Sequence, residues 1–462
     1  MGVGVFRACH HGAVIARPVP TAPRTATDRC PGLLRVHLAV DGALIRLRLP
    51  GGRVTSAALA ALARIAAEFG NGEVQLTSRG NVQLRGVAVG TDGQVPAELV
   101  TRVVSAGLLP SVTHELVRNI TCSPLTGRVG GLADLRPLVT ELDELICSTP
   151  RLSELPGRFL FGLDDGSQDI AALACDLGVQ AVSAHHVALL AGGAVGPAIP
   201  TARAAACLIA LAEAFLCRRG AGLGAAWHVR ELAGGGVGLL GEVFASGSEF
   251  ASVSVSTTTL TVGPKDRADP AGVGRYGRLR QQNGRSLVSF VVPLGLLTGP
   301  QLNALSAFSA RCAGELIVTP WRGIVVPDVP TEMSNGSTLE HQFDSLGLSL
   351  DPESGWRNLS ACTGAPGCSA ALGSTRPIAE RLAAQMTSGA RLPVHVIGCE
   401  RRCGAPQSDH LEARISTTSG AEPCLVTRSV SASGSGVDSP GIFDGDLSLL
   451  LADAVGYPGK AS

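Results

Sequence analysis

Two stretches of the chain share one order of apolar and polar positions. The first starts at Ala43 and reads ALIRLRLPGGRVTSAALAALARIAAEFGNGEVQLTSRGNVQLRG; the second starts at Ser286 and reads SLVSFVVPLGLLTGPQLNALSAFSARCAGELIVTPWRGIVV. In each, an alternating run predicts a half-buried strand, a Pro/Gly turn follows, and apolar residues at three- and four-residue spacing predict a helix before a second strand. Thr55 and Thr298 stand where a side chain would cap that helix.

The two stretches are copies of one unit. They align without a gap from the first strand to the last, and a collinear match of this kind seldom arises by chance. The aligned pairs are Pro50 with Pro293, Gly52 with Gly295, Thr55 with Thr298, Leu59 with Leu302, and Arg79-Gly80 with Arg322-Gly323.

A second repeat follows each of these units. Arg118-Asn119 opens RNITCSPLTGR in the first copy, and Arg357-Asn358 opens RNLSACTGAPGC in the second. Downstream, LPGRFLFGLDDG at 155–166 corresponds to LPVHVIGCERRCG at 392–404. The chain therefore consists of two copies of one long module. We expect the copies to pack about a pseudo-twofold axis, with a shared site at their interface.

Only the second copy carries two closely spaced pairs of cysteines. Cys362 and Cys368 form a C-x5-C motif, and Cys399 and Cys403 form a C-x3-C motif. Structural zinc usually takes pairs separated by two to four residues, often with histidine, and no histidine lies beside the first pair. Glycine and proline inside the first loop leave room for a bulky group, which favours a four-thiolate [4Fe–4S] cluster. Zinc, or no metal at all, is the alternative.

Positive charge in this chain is carried almost entirely by arginine. Lys265 and Lys460 are the only lysines, a bias that GC-rich coding would also produce. The planar guanidinium fork of arginine binds carboxylates through two hydrogen bonds, so arginines at strand ends and in loops indicate a ligand with several carboxylates. The arginines in such positions are Arg79, Arg118, Arg128, Arg158 and Arg322.

A histidine pair is a candidate for binding iron. His185 and His186 are adjacent, and Asp165 or Asp169 could complete the set, because two histidines and one carboxylate are a common ligand set for non-haem iron. A purely structural role for these histidines is the alternative. The segment GAGLGA at 220–225 lacks the GxGxxG spacing of a dinucleotide site.

Composition argues against several other classes of protein. The formal net charge of the 462 residues is +0, so nothing indicates a nucleic-acid partner. No uninterrupted apolar run reaches the roughly 18 residues of a membrane span, and the first residues do not resemble a secretory signal. Most of the remaining cysteines stand singly in apolar surroundings, as in proteins of a reducing compartment. We therefore expect a cytoplasmic protein without a membrane partner.

These motifs resemble the nitrite/sulfite reductase family. TSRGNVQLRG is similar to the family's T-x-R-x-x-x-Q signature, RNITCSPLTG to its tetrapyrrole-binding arginine segment, and the two cysteine motifs to its cluster motif. The resemblance runs from about Cys30 to Cys424. It implies an α+β fold with a duplicated nitrite/sulfite reductase-like module. Each copy would have a ferredoxin-like half-domain and an α/β half that binds tetrapyrrole or iron–sulfur cluster, and a pseudo-twofold axis would relate the copies.

The resemblance also implies roles for particular residues. The [4Fe–4S] cluster would be bound by Cys362, Cys368, Cys399 and Cys403, and in the reductases of the family the last of these bridges the cluster to siroheme. The substrate would be bound by Arg79, Gln83, Arg118, Asn119, Arg158 and Arg322.

One position departs from the pattern of the reductases. They use two basic residues in the segment that matches LPGRFLFG, but here only Arg158 is basic, and Leu160 stands at the second position. With this departure, RCPGLLRVHLAVDGALIRLRLPGG and TPWRG resemble a monooxygenase branch of the family that acts in aerobic cobalamin biosynthesis.

Membership of that branch would imply hydroxylation of precorrin-3A, a metal-free tetrapyrrole, at C20 with formation of a γ-lactone. The reaction would use dioxygen, a [4Fe–4S] cluster, a mononuclear non-haem iron, and NADH, an electron-donor protein or another reductant. Two alternatives remain: a siroheme-dependent sulfite or nitrite reductase, and a non-catalytic protein that binds an iron–sulfur cluster or a tetrapyrrole.

The repeats and the resemblance together predict the division of the chain. An N-terminal extension occupies 1–29, the first ferredoxin-like half-domain 30–100, and the first cofactor- or substrate-binding half 101–240. A connector at 241–285 includes a Ser/Thr/Val-rich run that indicates short strands. The second ferredoxin-like half-domain follows at 286–335, the cluster-binding half at 336–430, and a low-complexity tail at 431–462.

Overall fold

The structure is a computed structural model that describes residues 28–171, 173–245, 275–334, 338–386, 392–406, 409–416, 424–430 and 436–443. Nearly all of the predicted N-terminal extension, the Ser/Thr/Val-rich run of the connector and most of the predicted tail therefore lie outside the described residues.

Two antiparallel sheets each take four strands from one repeat and the fifth from the other. The first sheet contains β1 (His37–Ala39), β2 (Gly42–Leu47), β5 (Val82–Val87), β4 (Glu73–Leu76) and β13 (Leu296–Thr298), in that order. The second contains, also in spatial order, β11 (Gly277–Arg280), β12 (Ser286–Phe290), β15 (Ile324–Val329), β14 (Glu315–Val318) and β3 (Arg53–Thr55). The exchanged strands are β13, which pairs with β4, and β3, which pairs with β14.

The helices of the two repeats pack on each other beneath these sheets. They are α1 (Ser56–Phe69) and α6 (Gly299–Ala310), and the hydroxyls of Ser56 and Ser309 lie 2.6 Å apart between them. The predicted caps are confirmed, since Thr55 Oγ1 accepts from the Ala58 amide at 3.1 Å and Gln301 completes a capping box with Thr298. Leucines of both helices fill one common core. Shorter helices flank it at Ala97–Ser105 (α2), Thr331–Ser334 (α7) and Thr338–Asp344 (α8).

The gap-free alignment of the repeats is wrong at its far end. The Thr77 amide donates to Asn81 O at 2.8 Å, and the Thr319 amide donates to Gly323 O at 3.0 Å, so these two hairpin turns correspond. The second repeat is one residue shorter between its proline turn and this hairpin. Arg322 therefore occupies the position of Gly80, with φ 61° against 70°. The counterpart of Arg79 is Trp321, not Arg322.

The other two sheets also share one topology. Each has three parallel strands followed by two antiparallel ones. The third sheet contains β6 (Ile120–Cys122), β7 (Phe161–Asp164), β8 (Leu177–Ala181), β9 (His186–Ala191) and β10 (Ala194–Pro200), and packs on α3 (Arg136–Ser148), α4 (Ala204–Arg218) and α5 (Gly235–Val243). The fourth contains β16 (Leu359–Ala361), β17 (Val394–Ile397), β18 (His410–Ser416), β19 (Cys424–Val430) and β20 (Gly436–Phe443), and packs on α9 (Arg376–Gln385).

The register of these sheets corrects the second sequence match. Phe161 pairs with Ile120, and Val394 pairs with Leu359, so Phe161 and Val394 are equivalent. The two Leu-Pro dipeptides that aligned in sequence, at 155–156 and 392–393, are therefore offset in the fold. Strand pairing sets equivalence in a sheet, and a two-residue identity does not constrain it.

Two predicted segments contain more structure than their composition indicated. Strand β11 belongs to the second sheet although it lies within the predicted connector, and β20 belongs to the fourth sheet although it lies within the predicted tail. Both are edge strands, which need hydrogen-bond partners on one side only and so tolerate glycine and proline. Among the described residues, no helix combines the length and the apolarity needed to cross a membrane.

The strand exchange generates a stability prediction at Gly52. Its φ is +72°, and a Cβ there would lie 2.1 Å from the carbonyl oxygen of Val318 on the neighbouring repeat. We expect Gly52→Ala to lower the free energy of unfolding by about 3 kcal/mol or more. Gly72→Ala is the control, because Gly72 has φ +83° but nothing within 4 Å, and it should cost about 1–2 kcal/mol. Urea unfolding followed by far-UV circular dichroism measures both, and equal losses would contradict the argument.

Candidate functional site

Two arginines on the first sheet lie against a buried cysteine. Arg46 is on β2 and Arg48 follows that strand, so both project from the same face. Arg46 Nη1 lies 3.8 Å and Arg48 Nη2 3.6 Å from the Sγ of Cys30. Arg46 Nη2 also donates to Gln83 Oε1 at 3.1 Å. The thiol and the predicted glutamine therefore share one cationic site.

These guanidinium groups are buried and incompletely paired. Arg48 is 3% exposed, and within the described part of the chain its Nε and Nη1, together with Nε of Arg46, have no hydrogen-bond partner. Burial, assisted by the neighbouring Arg46 and Arg79, lowers the pKa of Arg48 to about 10. An unpaired buried N–H costs about 1–3 kcal/mol. Donors left in this state are available to an anionic ligand.

Two of the predicted arginines complete this group. Arg79 Nη1 donates to the carbonyl oxygen of Arg158 at 3.1 Å, and Arg158 lies 5.1 Å above the Trp227 ring. Burial lowers the pKa of Arg46, and the charges of Arg79 and Arg158 lower it further. We refer to Arg46, Arg48, Arg79 and Arg158 as the arginine cluster. The only carboxylate paired with it is Asp28, 3.3 Å from Arg158 Nε, among the ion pairs of the described residues.

The structure places the RNITCSPLTGR segment beside this cluster, and both of its arginines pair with carboxylates of the protein. Arg118 is buried and donates to both oxygens of Asp143, at 2.8 and 2.7 Å. Asn119 donates to Gly157 O at 2.9 Å and accepts from Asn81 at 3.3 Å. These contacts connect the third sheet to the first. Arg128, in the same segment, pairs with Glu315 of the second repeat.

Arg322 lies at the cysteine motifs and not in the arginine cluster. Its Nη2 donates to the carbonyl oxygen of Gly404, next to Cys403, at 3.0 Å. Burial lowers its pKa. The left-handed backbone at Arg322 redirects the side chain, which explains why it does not reach the position that Arg79 occupies in the first repeat.

The four predicted cluster cysteines lie in the loops after β16 and β17. Burial raises the pKa of Cys403, and the other three thiols raise it further, so all four lie close enough to interact. The Gly398 amide donates to the Sγ of Cys362 at 3.2 Å. Amide donors to sulfur stabilise thiolates that bind metal clusters and tune their potentials.

The geometry of these thiols bears on the choice between zinc and a cluster. Zinc would hold all its sulfurs about 2.3 Å from one ion. In the described part of the chain, no three His, Cys, Asp or Glu residues are close enough together to hold a metal ion. A polynuclear cluster needs a wider arrangement, because each thiolate binds a different iron. Gly364 is needed where the loop is tight, since it has φ +67° and a Cβ there would lie 2.7 Å from the Thr375 amide. The preference for an iron–sulfur cluster over zinc rests on the C-x5-C and C-x3-C spacing.

The first module carries the counterpart of this loop without its thiols. The Asp165 amide donates to Ser123 Oγ at 3.1 Å, as the Gly398 amide donates to Cys362 Sγ. Ser123 Oγ in turn donates to Asp169 at 2.7 Å. His185 and His186 are exposed, and within the described residues they do not form a metal-binding group with these aspartates.

Ion pairs attach the cysteine motifs to the first sheet. We refer to residues 362–375 as the cysteine loop. Arg85 of β5 pairs with Asp41 at 2.9 Å and donates to Gly367 O of this loop at 2.9 Å. Arg376, which follows the loop, pairs with Glu73 of β4 at 2.9 Å. The sheet that carries Arg46 thus also supports the cluster-binding segment.

Sequence analysis missed Arg46, Arg48 and Cys30. The signal was present, because two arginines at alternate positions of an otherwise apolar strand place two charges on one face. The corresponding residues of the second repeat are Ser289 and Val291. This difference between the copies could have identified the pair.

The two half-domain repeats and the overall fold are similar to those of known proteins. The family described as "Nitrite/Sulfite reductase ferredoxin-like half domain" matches residues 38–91 and 278–333, one in each repeat. The solved structure of the Mycobacterium tuberculosis NirA protein superposes with a TM-score of 0.63 at 21% identity, covering 87% of this chain and 76% of that one. The predicted resemblance to the nitrite/sulfite reductases and the duplicated α+β fold are confirmed.

Individual relatives come from two kinds of enzyme. A precorrin-3B synthase of Sinorhizobium sp is 27% identical over 83% of this chain and 79% of its own length. A ferredoxin–nitrite reductase of Leptolyngbya laminosa is 27% identical over 79% of this chain and 74% of its own length. A ferredoxin-dependent sulfite reductase of Mycobacterium tuberculosis is 25% identical, with shares of 79% and 68%. These similarities indicate an oxidoreductase.

The cysteine geometry predicts which thiols bind iron. We expect Cys362→Ser to remove nearly all iron and acid-labile sulfide from anaerobically purified protein, because a hydroxyl is a poor replacement for a thiolate that binds a cluster. Cys312→Ser is the matched control, since Cys312 is also half-buried but donates to Phe308 O on α6. The measurement is the content of iron and acid-labile sulfide per chain. A Cys362→Ser protein with full iron content would contradict the assignment of Cys362 as a cluster ligand.

Proposed function

We propose that this chain is a precorrin-3B synthase, which hydroxylates precorrin-3A at C20 with dioxygen and forms a γ-lactone in aerobic cobalamin biosynthesis. The observation that carries the proposal is the arginine cluster, in which Nε of Arg46 and both Nε and Nη1 of Arg48 are buried without a partner among the described residues. Precorrin-3A is a metal-free tetrapyrrole with eight carboxylates, and converging guanidinium groups would bind such a ligand in one orientation. The similarity to the Sinorhizobium synthase supports the same substrate.

Leu160 favours a large ligand over a small inorganic anion. Its side chain is buried and apolar where the reductases of the resemblance carry a second cation. The neighbouring Phe159 packs on Phe161 and on Phe215 in the core of the third sheet, so the segment is held rigidly. Removing one cation weakens the binding of sulfite or nitrite, which has few atoms to contact. The loss of one cation matters less for a macrocycle that is held through several carboxylates.

In this proposal the residues of the chain position the substrate and exclude water. Arg46, Arg48, Arg79 and Arg158 bind carboxylates, and Gln83 orients Arg46. Arg118 and Asn119 contribute through the wall that they form, and Arg322 contacts the ligand from beside Gly404. Fixing the macrocycle presents one carbon to the oxidant and reduces the entropic cost of the reaction. Burial of Arg48 strengthens its contact with the ligand.

The cofactors of the proposal follow from the donor sets. Cys362, Cys368, Cys399 and Cys403 would hold a [4Fe–4S] cluster, which supplies single electrons. A mononuclear non-haem iron and NADH, or an electron-donor protein, complete the requirements of the reaction. The ligands of that iron stay unassigned, because His185 and His186 are exposed.

A siroheme-dependent sulfite or nitrite reductase is the second candidate. Two of the relatives described above are such reductases, and their fold accommodates both candidates. The third candidate, a non-catalytic iron–sulfur or tetrapyrrole-binding protein, would bind a macrocycle without consuming oxygen.

The visible spectrum of anaerobically purified protein, combined with acid–acetone extraction of pigment, separates these candidates. Iron and sulfide without extractable siroheme support the synthase, and precorrin-3A with a reductant should then elicit oxygen consumption and a hydroxylated product. Extractable siroheme with a sharp Soret band would establish the reductase instead. If the protein binds precorrin-3A but takes up no oxygen with any reductant, the non-catalytic binding protein is the remaining candidate.

The arginine cluster yields a prediction that does not require turnover. We expect Arg48→Gln to weaken the binding of uroporphyrin, a stable octacarboxylate tetrapyrrole, about tenfold to a hundredfold, because a buried charge-assisted contact is lost. Arg102→Gln is the control, since Arg102 forms exposed ion pairs with Glu68 and Glu98. Fluorescence titration measures both affinities, with iron content as a check on folding. Equal affinities for wild-type and Arg48→Gln would exclude this site.

A further inference from the structure

Cys30 differs in its surroundings from Cys122 and Cys175. Burial raises the pKa of the Cys122 thiol, and it raises the pKa of the Cys175 thiol to about 12, as expected for inert thiols. Cys30 is also buried, 7% exposed, but its Sγ faces two guanidinium groups. Those positive charges are placed to stabilise negative charge on the sulfur or on an atom attached to it.

The present contacts of the sulfur leave its neighbours unsatisfied. Sulfur is a weak acceptor, and the distances of 3.6 and 3.8 Å from Arg48 and Arg46 are long. Three N–H groups of these arginines have no acceptor among the described residues. An oxygen atom on the sulfur would be a strong, charged acceptor for Arg46 Nη1 and Arg48 Nη2, the nitrogens that face the sulfur. The site therefore suits an oxidised form of Cys30 better than the free thiol.

We propose that Cys30 is a peroxide-modified residue, converted to a sulfenate that Arg46 and Arg48 stabilise. The Cys30 thiol gives its proton to water, the sulfur attacks one oxygen of hydrogen peroxide, a sulfur–oxygen bond forms, and the oxygen–oxygen bond breaks. The departing hydroxide takes the proton of the sulfenic acid and leaves as water. Sulfur is oxidised by two electrons, and peroxide is reduced by two.

The modification would regulate the proposed site, and this consequence rests on the proposed function. A sulfenate places negative charge inside the arginine cluster, where a carboxylate of the substrate would bind. It therefore competes with the substrate for the same donors. Peroxide forms when dioxygen is reduced by two electrons without reaching a substrate carbon, so oxidation of Cys30 would close the site under those conditions. Sulfenates are reduced again by thiols, which makes the effect reversible.

The test measures the sulfenate on individual cysteines of the full-length, cluster-containing protein. Protein is treated with one equivalent of hydrogen peroxide, catalase removes the excess, and the chain is unfolded in dimedone, so that access of dimedone does not limit labelling. Peptide mass spectrometry then quantifies each adduct. Cys217 is the internal control, because it is exposed and has a single arginine neighbour, with Arg151 Nη2 3.2 Å from its Sγ.

We expect more adduct on Cys30 than on Cys217, although Cys217 is more exposed. Arg48→Gln should reduce labelling of Cys30 about tenfold and leave Cys217 unchanged, because one charge-assisted contact to the oxidised sulfur is lost. Arg46→Gln gives the same comparison if Arg48→Gln does not fold. If Cys217 is modified and Cys30 is not, labelling follows exposure and the proposal is overturned. Equal labelling of Cys30 in the wild-type protein and in both variants would also overturn it.

A binding measurement separates this proposal from the proposed function. Peroxide should weaken the affinity of wild-type protein for uroporphyrin about tenfold, whereas Cys30→Ser should respond to peroxide with no change. An equal loss in Cys30→Ser would refute the regulatory role. If untreated wild-type protein does not bind uroporphyrin, the proposed tetrapyrrole site fails, and the labelling experiment still decides the chemistry of Cys30.

Discussion

The exchange of β3 and β13 between the two repeats is the contact on which the rest of the molecule depends. Each half-domain sheet is completed by a strand of the other copy, so neither sheet reaches five strands alone. The exchange places α1 against α6 over one shared core. Burial of that core provides most of the favourable free energy, because apolar area removed from water contributes roughly 25 cal/mol per Å². The shared core also fixes the third and fourth sheets relative to one another.

Duplication has allowed the two copies to take different chemical roles. On the half-domain sheets, the first copy has Arg46 and Arg48 where the second has Ser289 and Val291. In the loops after the parallel strands, the second copy has Cys362 where the first has Ser123, and the same backbone amide serves each. Cations for an anionic ligand and thiols for a cluster thus come from opposite copies. The ion pairs of Arg85 and Arg376 hold the cysteine loop against the sheet that carries the cations.

Buried charge in this site is unbalanced. Arg118 and Arg128 each meet a carboxylate of the protein, as buried cations normally do. Arg46 and Arg48 meet only a thiol, a side-chain amide oxygen and the Pro31 carbonyl oxygen among their described hydrogen bonds. Such a site is less stable without a ligand than with one, since buried N–H donors remain unpaired. In the two proposals above, substrate binding and oxidation of Cys30 share this physical origin.

The sequence alone determined the duplication, the strand–turn–helix–strand unit and the helix caps, because each depends on local periodicity or on residues close together in the chain. It also predicted the four cluster cysteines and, as substrate-binding residues, Arg79, Gln83 and Arg158. The tertiary structure decided which arginines converge. Arg118 is paired with Asp143, and a one-residue difference between the repeats puts Arg322 into a left-handed position beside Gly404. Strand exchange and sheet register depend on contacts between residues far apart in the chain. No local sequence pattern encodes these contacts. Nor does a local pattern show which residue will pair with a buried charge.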